Sequence, residues 1–182
     1  MKTLIFMASP NKKGNTQAMM EAFLKGLKGE VHIINSYNVN IKPCIDCKYC
    51  YTHIGECSIK DDMTDIYKII DESDNIVVFS PMYFASYPGT FKNIIDRTQV
   101  YWSKKYILKI DDPNKNKKGL LFLNAGSEWN EMFKHMENIF KYFIKTLHGE
   151  LVESVYVPNT DNNPISNNHK IIEELYKIAR NI

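Results

Sequence analysis

The sequence predicts a doubly wound α/β fold, a five-stranded parallel sheet in the order 2-1-3-4-5 with helices on both faces. Three observations carry that prediction. Short apolar runs and helical stripes alternate along the 182 residues. The runs are nearly continuous in apolar residues, as strands covered on both faces must be. A helical stripe separates each run from the next, which is the signature of right-handed crossovers in one parallel sheet.

Lys2-Thr3-Leu4-Ile5-Phe6-Met7 reads as the first strand and stops at Ser9-Pro10. Met19, Met20, Phe23, Leu24 and Leu27 then recur at helical spacing, with Gly29 at the stop. Val31 to Ile34 is the second strand. After a cysteine-rich segment, Asp62 is a candidate N-cap and Asp65 a favourable first-turn charge for a helix facing inward through Met63, Ile66, Ile69 and Ile70. Ile76 to Phe79 is the third strand, and the helix after it carries Phe91, Ile94 and Ile95. Gly119 to Leu123 is the fourth. The clearest helical stripe runs from Met132 through Phe140 to Leu147, closed by Gly149. Leu151 to Val157 is the fifth strand, and Pro164 is placed to open a last helix carrying Ile171, Ile172, Leu175 and Ile178. The whole, residues 1–182, reads as a single domain with two insertions, one at about 40–60 and one at about 101–118.

A hydrophobic content of 44% and a charged content of 24% describe an ordinary globular chain. The net charge of +2 argues against nucleic acid and acidic membranes as partners. The apolar run near the N-terminus, Leu4 to Ala8, falls short of the roughly 7–15 residues of a secretory signal. No run approaches the roughly 18–20 apolar residues of a membrane span. The expectation is a cytoplasmic protein in a reducing compartment.

In such a sheet, ligands bind beyond the carboxyl ends of the strands, where strand order reverses. The loop after the first strand reads SPNKKGNT and leads into a helix. Its free backbone N–H groups and the helix dipole favour an anion, with Ser9, Asn15 and Thr16 as side-chain donors. It matches neither GxxxxGK[ST] nor GxGxxG, which disfavours nucleotide triphosphatases and Rossmann dinucleotide sites. A solvated turn that merely caps the helix is the plainer alternative. The loop after the third strand, SPMYFASYPG, sets Pro81, Met82, Tyr83 and Phe84 beside a strand end, suited to the face of a planar heterocycle or simply to core packing. The loop after the fourth, NAGSEW, permits close backbone approach at Ala125 and Gly126. A phosphate site beside a flat apolar slot suggests FMN.

Every cysteine of the chain lies in CIDCKYCYTHIGEC: Cys44, Cys47, Cys50 and Cys57, spaced C-x2-C-x2-C-x6-C. The first three cysteines are spaced as the cluster ligands of bacterial ferredoxins, and the fourth comes farther along with no proline after it. One loop thus supplies four thiolates for a [4Fe–4S] cluster. Zinc usually takes two separated pairs. A reducing compartment disfavours disulfides, and a C-x-x-C dithiol leaves two cysteines over. A cysteine loop that holds nothing stays open as well. His53 reads as a loop histidine. Lys48 and the Lys115, Lys117, Lys118 run are either attractors for a phosphorylated nicotinamide or an acidic carrier, or solvated charges. Tyr101 and Trp102 are a flavin lid or packing.

On SPNKKGNT, PCIDCKYCYTHIGECSIKDDM and SPMYFASYPGTFKNIIDR the chain resembles the flavodoxin-like NAD(P)H-dependent FMN reductases over most of residues 1–160, and among them the iron–sulfur flavoproteins. The resemblance implies non-covalently bound FMN and a homodimer or larger assembly. It implies phosphate contacts from Ser9, Asn15, Thr16 and Gln17, and isoalloxazine contacts from Pro81, Met82, Tyr83 and Phe84 with Ser86 nearby. Family members often carry glycine before the serine, where this chain has Ala8. The function expected is an FMN-dependent oxidoreductase passing electrons among a reduced donor, FMN and a [4Fe–4S] cluster. NAD(P)H is the expected co-substrate, and a small molecule or ferredoxin-type protein the redox partner. The alternatives are a clusterless NAD(P)H-dependent reductase of flavin, quinone, azo or nitro compounds, and a non-enzymatic electron carrier.

Overall fold

The computed structural model describes residues 1–110 and 116–182. The centre of the second insertion, including Lys115, lies outside the described residues. Five strands, β1 (Lys2–Met7), β2 (Glu30–Asn35), β3 (Asn75–Pro81), β4 (Lys117–Asn124) and β5 (Gly149–Val157), form one sheet in the order β2-β1-β3-β4-β5. All neighbours run parallel. This is the expected order, with β4 and β5 each starting two residues earlier than their apolar cores.

Alternation along each strand explains the unbroken apolar runs. Leu4, Phe6, Ile76, Val78, Leu121 and Leu123 enter one core, whereas Ile5, Met7, Val77, Phe79, Leu120 and Phe122 enter the other. Because both faces are covered, neither parity of residue is polar. The first core is closed by α2 (Met63–Glu72), α3 (Gly89–Arg97) and α5 (Met132–Thr146), with Phe6, Phe91 and Phe143 in mutual ring contact. The second is closed by α1 (Asn15–Leu24) and α6 (His169–Arg180), with Phe23 against Phe79 and Phe122.

Helix ends differ in detail from the sequence expectation. Pro164 opens only a 3-10 turn, Ile165–Asn167, and α6 starts beyond it, capped by Asn168 Oδ1 accepting the Ile171 N–H at 3.2 Å. At α2, Asp62 turns away and accepts the Asn40 N–H at 2.7 Å, while Asp61 accepts from Met63 at 3.1 Å. A neighbouring carboxylate therefore does the work expected of Asp62. The second insertion begins with a short helix, α4 (Gln99–Trp102), followed by a π turn over Ser103–Ile107.

α1 and α6 touch most closely just past the end of α1, at Gly26. A Cβ there would lie 2.4 Å from the Tyr176 carbonyl oxygen and 3.1 Å from Ala179 Cβ. The obstacle is backbone, so a methyl group must push the helices apart. Gly26→Ala is expected to cost about 1–3 kcal/mol through overpacking. Denaturant unfolding reads this as a lower midpoint at unchanged slope, and an unchanged midpoint would refute the close packing.

Candidate functional site at the carboxyl edge of the sheet

The loops after β1, β2, β3 and β4 all emerge at the same edge because every strand is parallel. Side chains tie them together. Asn35, at the end of β2, donates through Nδ2 to the Ser9 carbonyl at 3.1 Å, and Ser36 Oγ lies 2.9 Å from Thr90 Oγ1. The Met82 N–H donates to the Asn124 carbonyl at 2.8 Å, joining the third loop to the fourth.

The structure redistributes the roles expected of the first loop. Thr16 is buried, and its hydroxyl donates its single proton to Asn124 Oδ1 at 2.7 Å. Asn15 bridges to the loop after β5, donating to the Thr160 carbonyl at 3.3 Å and accepting from the Ile165 N–H at 2.9 Å. Gln17 donates to Glu21 at 2.8 Å along the outside of α1. Ser9 Oγ accepts the Asn11 N–H at 3.2 Å and keeps its own proton to give. Thr16 therefore has no proton left to give, whereas the Asn15 and Gln17 amides each use one of their two N–H donors within the fold. What faces an anion is the first turn of α1, whose amides have no intrahelical acceptor and no capping side chain.

The third loop is a tight two-residue turn. Tyr83 and Ser86 exchange both backbone hydrogen bonds at 3.0 Å, and the two residues between them, Phe84 and Ala85, have φ of 49° and 58°. Such turns normally take glycine or asparagine, so a phenylalanine and an alanine there hold backbone strain at a ligand edge. Phe84 is fully exposed at the tip, with Tyr83 half-exposed behind it. Pro81 ends β3 opposite Asn124, and Ser86 is consumed in holding the turn. Tyr37, from the loop after β2, is held above the usual phenol range, first by burial and then by the neighbouring Tyr83. The fourth loop is braced from β5. Ala125 donates to the Val157 carbonyl and accepts from the Thr160 N–H, both at 3.0 Å, so its N–H is already spent within the fold. Gly126 lies under the Asp161 carboxylate, which a Cβ would meet at 2.4 Å. Sequence reasoning missed this bracing loop, whose only signal was its Asn- and Asp-rich run, and did not single out Trp129, 60% exposed in the loop after β4.

The cysteine segment leaves β2 at this edge and runs back along the helices, so that its cavity lies against Arg97 at the end of α3 and Gln99 and Val100 of α4. All four cysteines line one cavity, together with Ile45, Lys48, Tyr49, Tyr51, Ile59, Arg97, Gln99 and Val100. The space between these atoms is about 390 Å³ and narrow. Among the described residues, no three His, Cys, Asp or Glu side chains converge as a single metal ion requires. A four-iron cube makes a different demand, since each thiolate takes a separate corner. Asp46 and Lys48, on either side of Cys47, have φ of 51° and 60°. Left-handed residues in such a loop turn successive N–H groups inward, the concavity that holds anions and cluster sulfurs. Ser58 Oγ lies 3.1 Å from Cys47 Sγ and draws that thiol below its ordinary value, whereas burial pushes Cys50 up.

Ser103 Oγ donates to the Cys50 carbonyl at 2.8 Å, and Tyr51 packs on Trp102 with centroids 6.3 Å apart, so the second insertion clasps the cysteine loop. Tyr101 is core, donating to the Tyr67 carbonyl at 3.0 Å. His53 stacks on Tyr49 at 3.7 Å, with Nδ1 within 3.1 Å of the Tyr49 carbonyl, as a loop histidine does. Lys48 sits against Asp46, and Lys117 is buried against the Ser73 carbonyl. The roomiest of the described clefts, about 660 Å³ between β5 and α6, is lined by Lys118, Glu153, Lys170 and Glu173 among others, away from this edge.

A family model described as NADPH-dependent FMN reductase matches residues 1–160. An iron–sulfur flavoprotein of Archaeoglobus fulgidus is 37% identical over 112 residues, which are 60% of this chain and 54% of that protein. An iron–sulfur flavoprotein of Methanosarcina thermophila is 29% identical over 155 residues, 84% of this chain and 76% of that one. The chain spans about half the length of most of the curated relatives it matches. Among solved structures, an NAD(P)H:quinone oxidoreductase from Methanothermobacter marburgensis superposes with a TM-score of 0.76 at 15% identity, covering 100% of this chain and 95% of that one. That likeness shows the fold.

Proposed function

The chain belongs to the NADPH-dependent FMN reductase family, and we propose that it is an FMN-dependent oxidoreductase of the iron–sulfur flavoprotein type. The observation that carries this reading is the donor set: all four cysteines of the chain line one cavity, in a parallel sheet of the 2-1-3-4-5 order. The names of the relatives point the same way.

Bound FMN supplies hydride acceptance in pairs of electrons and release in single ones, and a [4Fe–4S] cluster supplies single-electron exchange. The chain's own part is binding and placement. The first-turn amides of α1 and the Ser9 hydroxyl face the phosphate. Pro81, Met82, Tyr83 and Phe84 supply the flat apolar surface, and Gly126 the close backbone approach. Cys44, Cys47, Cys50 and Cys57 would hold the cluster in their narrow cavity. NAD(P)H as donor, a homo-oligomer, a cytoplasmic setting and a single domain over 1–182 complete the reading.

One observation favours a second reading, a reductase of the same family without a cluster. The thiols do not converge as ligands of one ion would. A single experiment separates the two. Protein purified without oxygen and supplied with FMN, iron and sulfide should show flavin bands, a broad cluster shoulder, and about four iron and four sulfide per chain. Flavin bands and NAD(P)H oxidation without iron would leave the clusterless reductase. Absence of flavin bands would sink both.

A further inference from the structure

Arg97 closes α3 and is the one deeply buried arginine of a chain with only two, against 21 lysines. Its side chain is 1% exposed. Nη1 donates to the Lys42 carbonyl at 2.9 Å and to Asp61 Oδ2 at 2.7 Å. Nη2 donates to the Ile59 carbonyl at 3.1 Å and to Asp61 Oδ1 at 3.2 Å. A guanidinium carries five N–H donors, and these bonds use the four on the terminal nitrogens. The fifth, Nε–H, is buried without a partner.

That vacancy costs free energy. A buried donor with no acceptor bears the full loss of its hydration, and more so when it is charged. Arg97 is also part of the wall of the cysteine cavity. Burial works against its charge, but Asp61 foremost, then Tyr67 and Cys57, outweigh burial and keep it protonated. Lys48, Tyr49, Tyr51 and Gln99 also carry donors in that wall, but Arg97 is the one whose unpartnered N–H is buried. A lysine here would meet Asp61 but would have no planar fork to hold Lys42 and Ile59 while aiming one N–H elsewhere.

We infer that the Arg97 Nε–H donates into the cysteine cavity, to a cysteine thiolate or an inorganic sulfide of the iron–sulfur cluster held there. The inference rests on the cluster reading of the four cysteines. Arg97 then has two duties. Its terminal nitrogens strap both ends of the cysteine segment, through Lys42 on one side and Ile59 and Asp61 on the other. Its Nε–H stabilises negative charge on sulfur, and so favours the reduced cluster, because hydrogen bonds to cluster sulfurs and nearby charge set the reduction potential.

Two measurements test it. With arginine labelled by nitrogen-15, only two Nε–H signals are present, and exposed Arg180 serves as the internal reference. Anaerobic loading with iron and sulfide should slow solvent exchange of the Arg97 Nε–H at least tenfold and leave Arg180 unchanged. Equal Arg97 exchange before and after loading, as for a bond to trapped water, would overturn the inference while the cluster reading survives. Failure to take up iron and sulfide would overturn both. The second measurement is the cluster potential of Arg97→Lys, which keeps a cation against Asp61. It should be more negative than in the unaltered protein at the same iron content. An equal potential counts against the bond, and if this variant does not fold the exchange measurement decides alone.

Discussion

Cys47→Ala is expected to strip the protein of iron while sparing its flavin. Cys47 is exposed, and its Sγ lies 3.1 Å from the Ser58 hydroxyl and beside the Tyr49 amide, so alanine there removes no buried core side chain. The loss is thus a loss of a ligand and not of the fold. A [4Fe–4S] cluster needs four thiolates, and this chain has only the four. Iron and acid-labile sulfide should fall from about four of each per chain to near none. FMN content is the internal control, because none of the residues assigned to the flavin is a cysteine. Full iron in the variant would remove Cys47 from the ligand set. No iron in the unaltered protein after anaerobic loading, with flavin bound, would leave the cysteine loop as a scaffold.

The sheet was legible because of a physical redundancy. In β1, β3 and β4 both parities of residue are buried, so the apolar run is unbroken and survives any error in register. Helix ends were less legible because several polar residues compete for each cap. Asp61 and Asp62 are adjacent, and only the positions of Asn40 and Lys42 decide which of them turns to α2. The site was legible by loop and not by side chain. Thr16 looks like a phosphate donor until Asn124, 108 residues away, takes its proton. The strained turn at Phe84 and Ala85 was hidden for the opposite reason. Residues that suit such a conformation announce it, and these two do not. The Arg97–Asp61 pair spans 36 residues and carries no local pattern at all.

That pair gives the largest stability effect expected of any single substitution considered. The Asp61 side chain is 4% exposed and accepts from Arg97 twice, from the Lys42 N–H at 2.9 Å and from the Met63 N–H. Asp61→Ala leaves the Arg97 cation buried without its counter-charge, which should cost about 3–5 kcal/mol. Replacing both partners by apolar residues, as in Asp61→Leu with Arg97→Met, should recover part of that loss, since the uncompensated charge disappears with the second change. The pair also sets a pH dependence. Burial pushes the Asp61 carboxyl up, but the Arg97 hydrogen bonds and charge and the Lys42 and Met63 amides together hold it below its ordinary value. A carboxylate whose folded pKa lies below its unfolded one adds stability that is fully present above the unfolded value, about 3.9, and is lost as pH falls through the folded value. Acid unfolding of the unaltered protein should therefore steepen below about pH 4. Exposed Glu72 and Glu173 and partly buried Glu137, also held low by lysine partners, add to the same acid-range loss. The diagnostic quantity is accordingly the difference between proteins. The stability gap between the unaltered chain and Asp61→Asn, measured by denaturant unfolding at stepped pH, should be constant near neutrality and narrow below about pH 4. A gap that stays constant through the acid range would mean that Asp61 keeps its charge there, or never contributed through it.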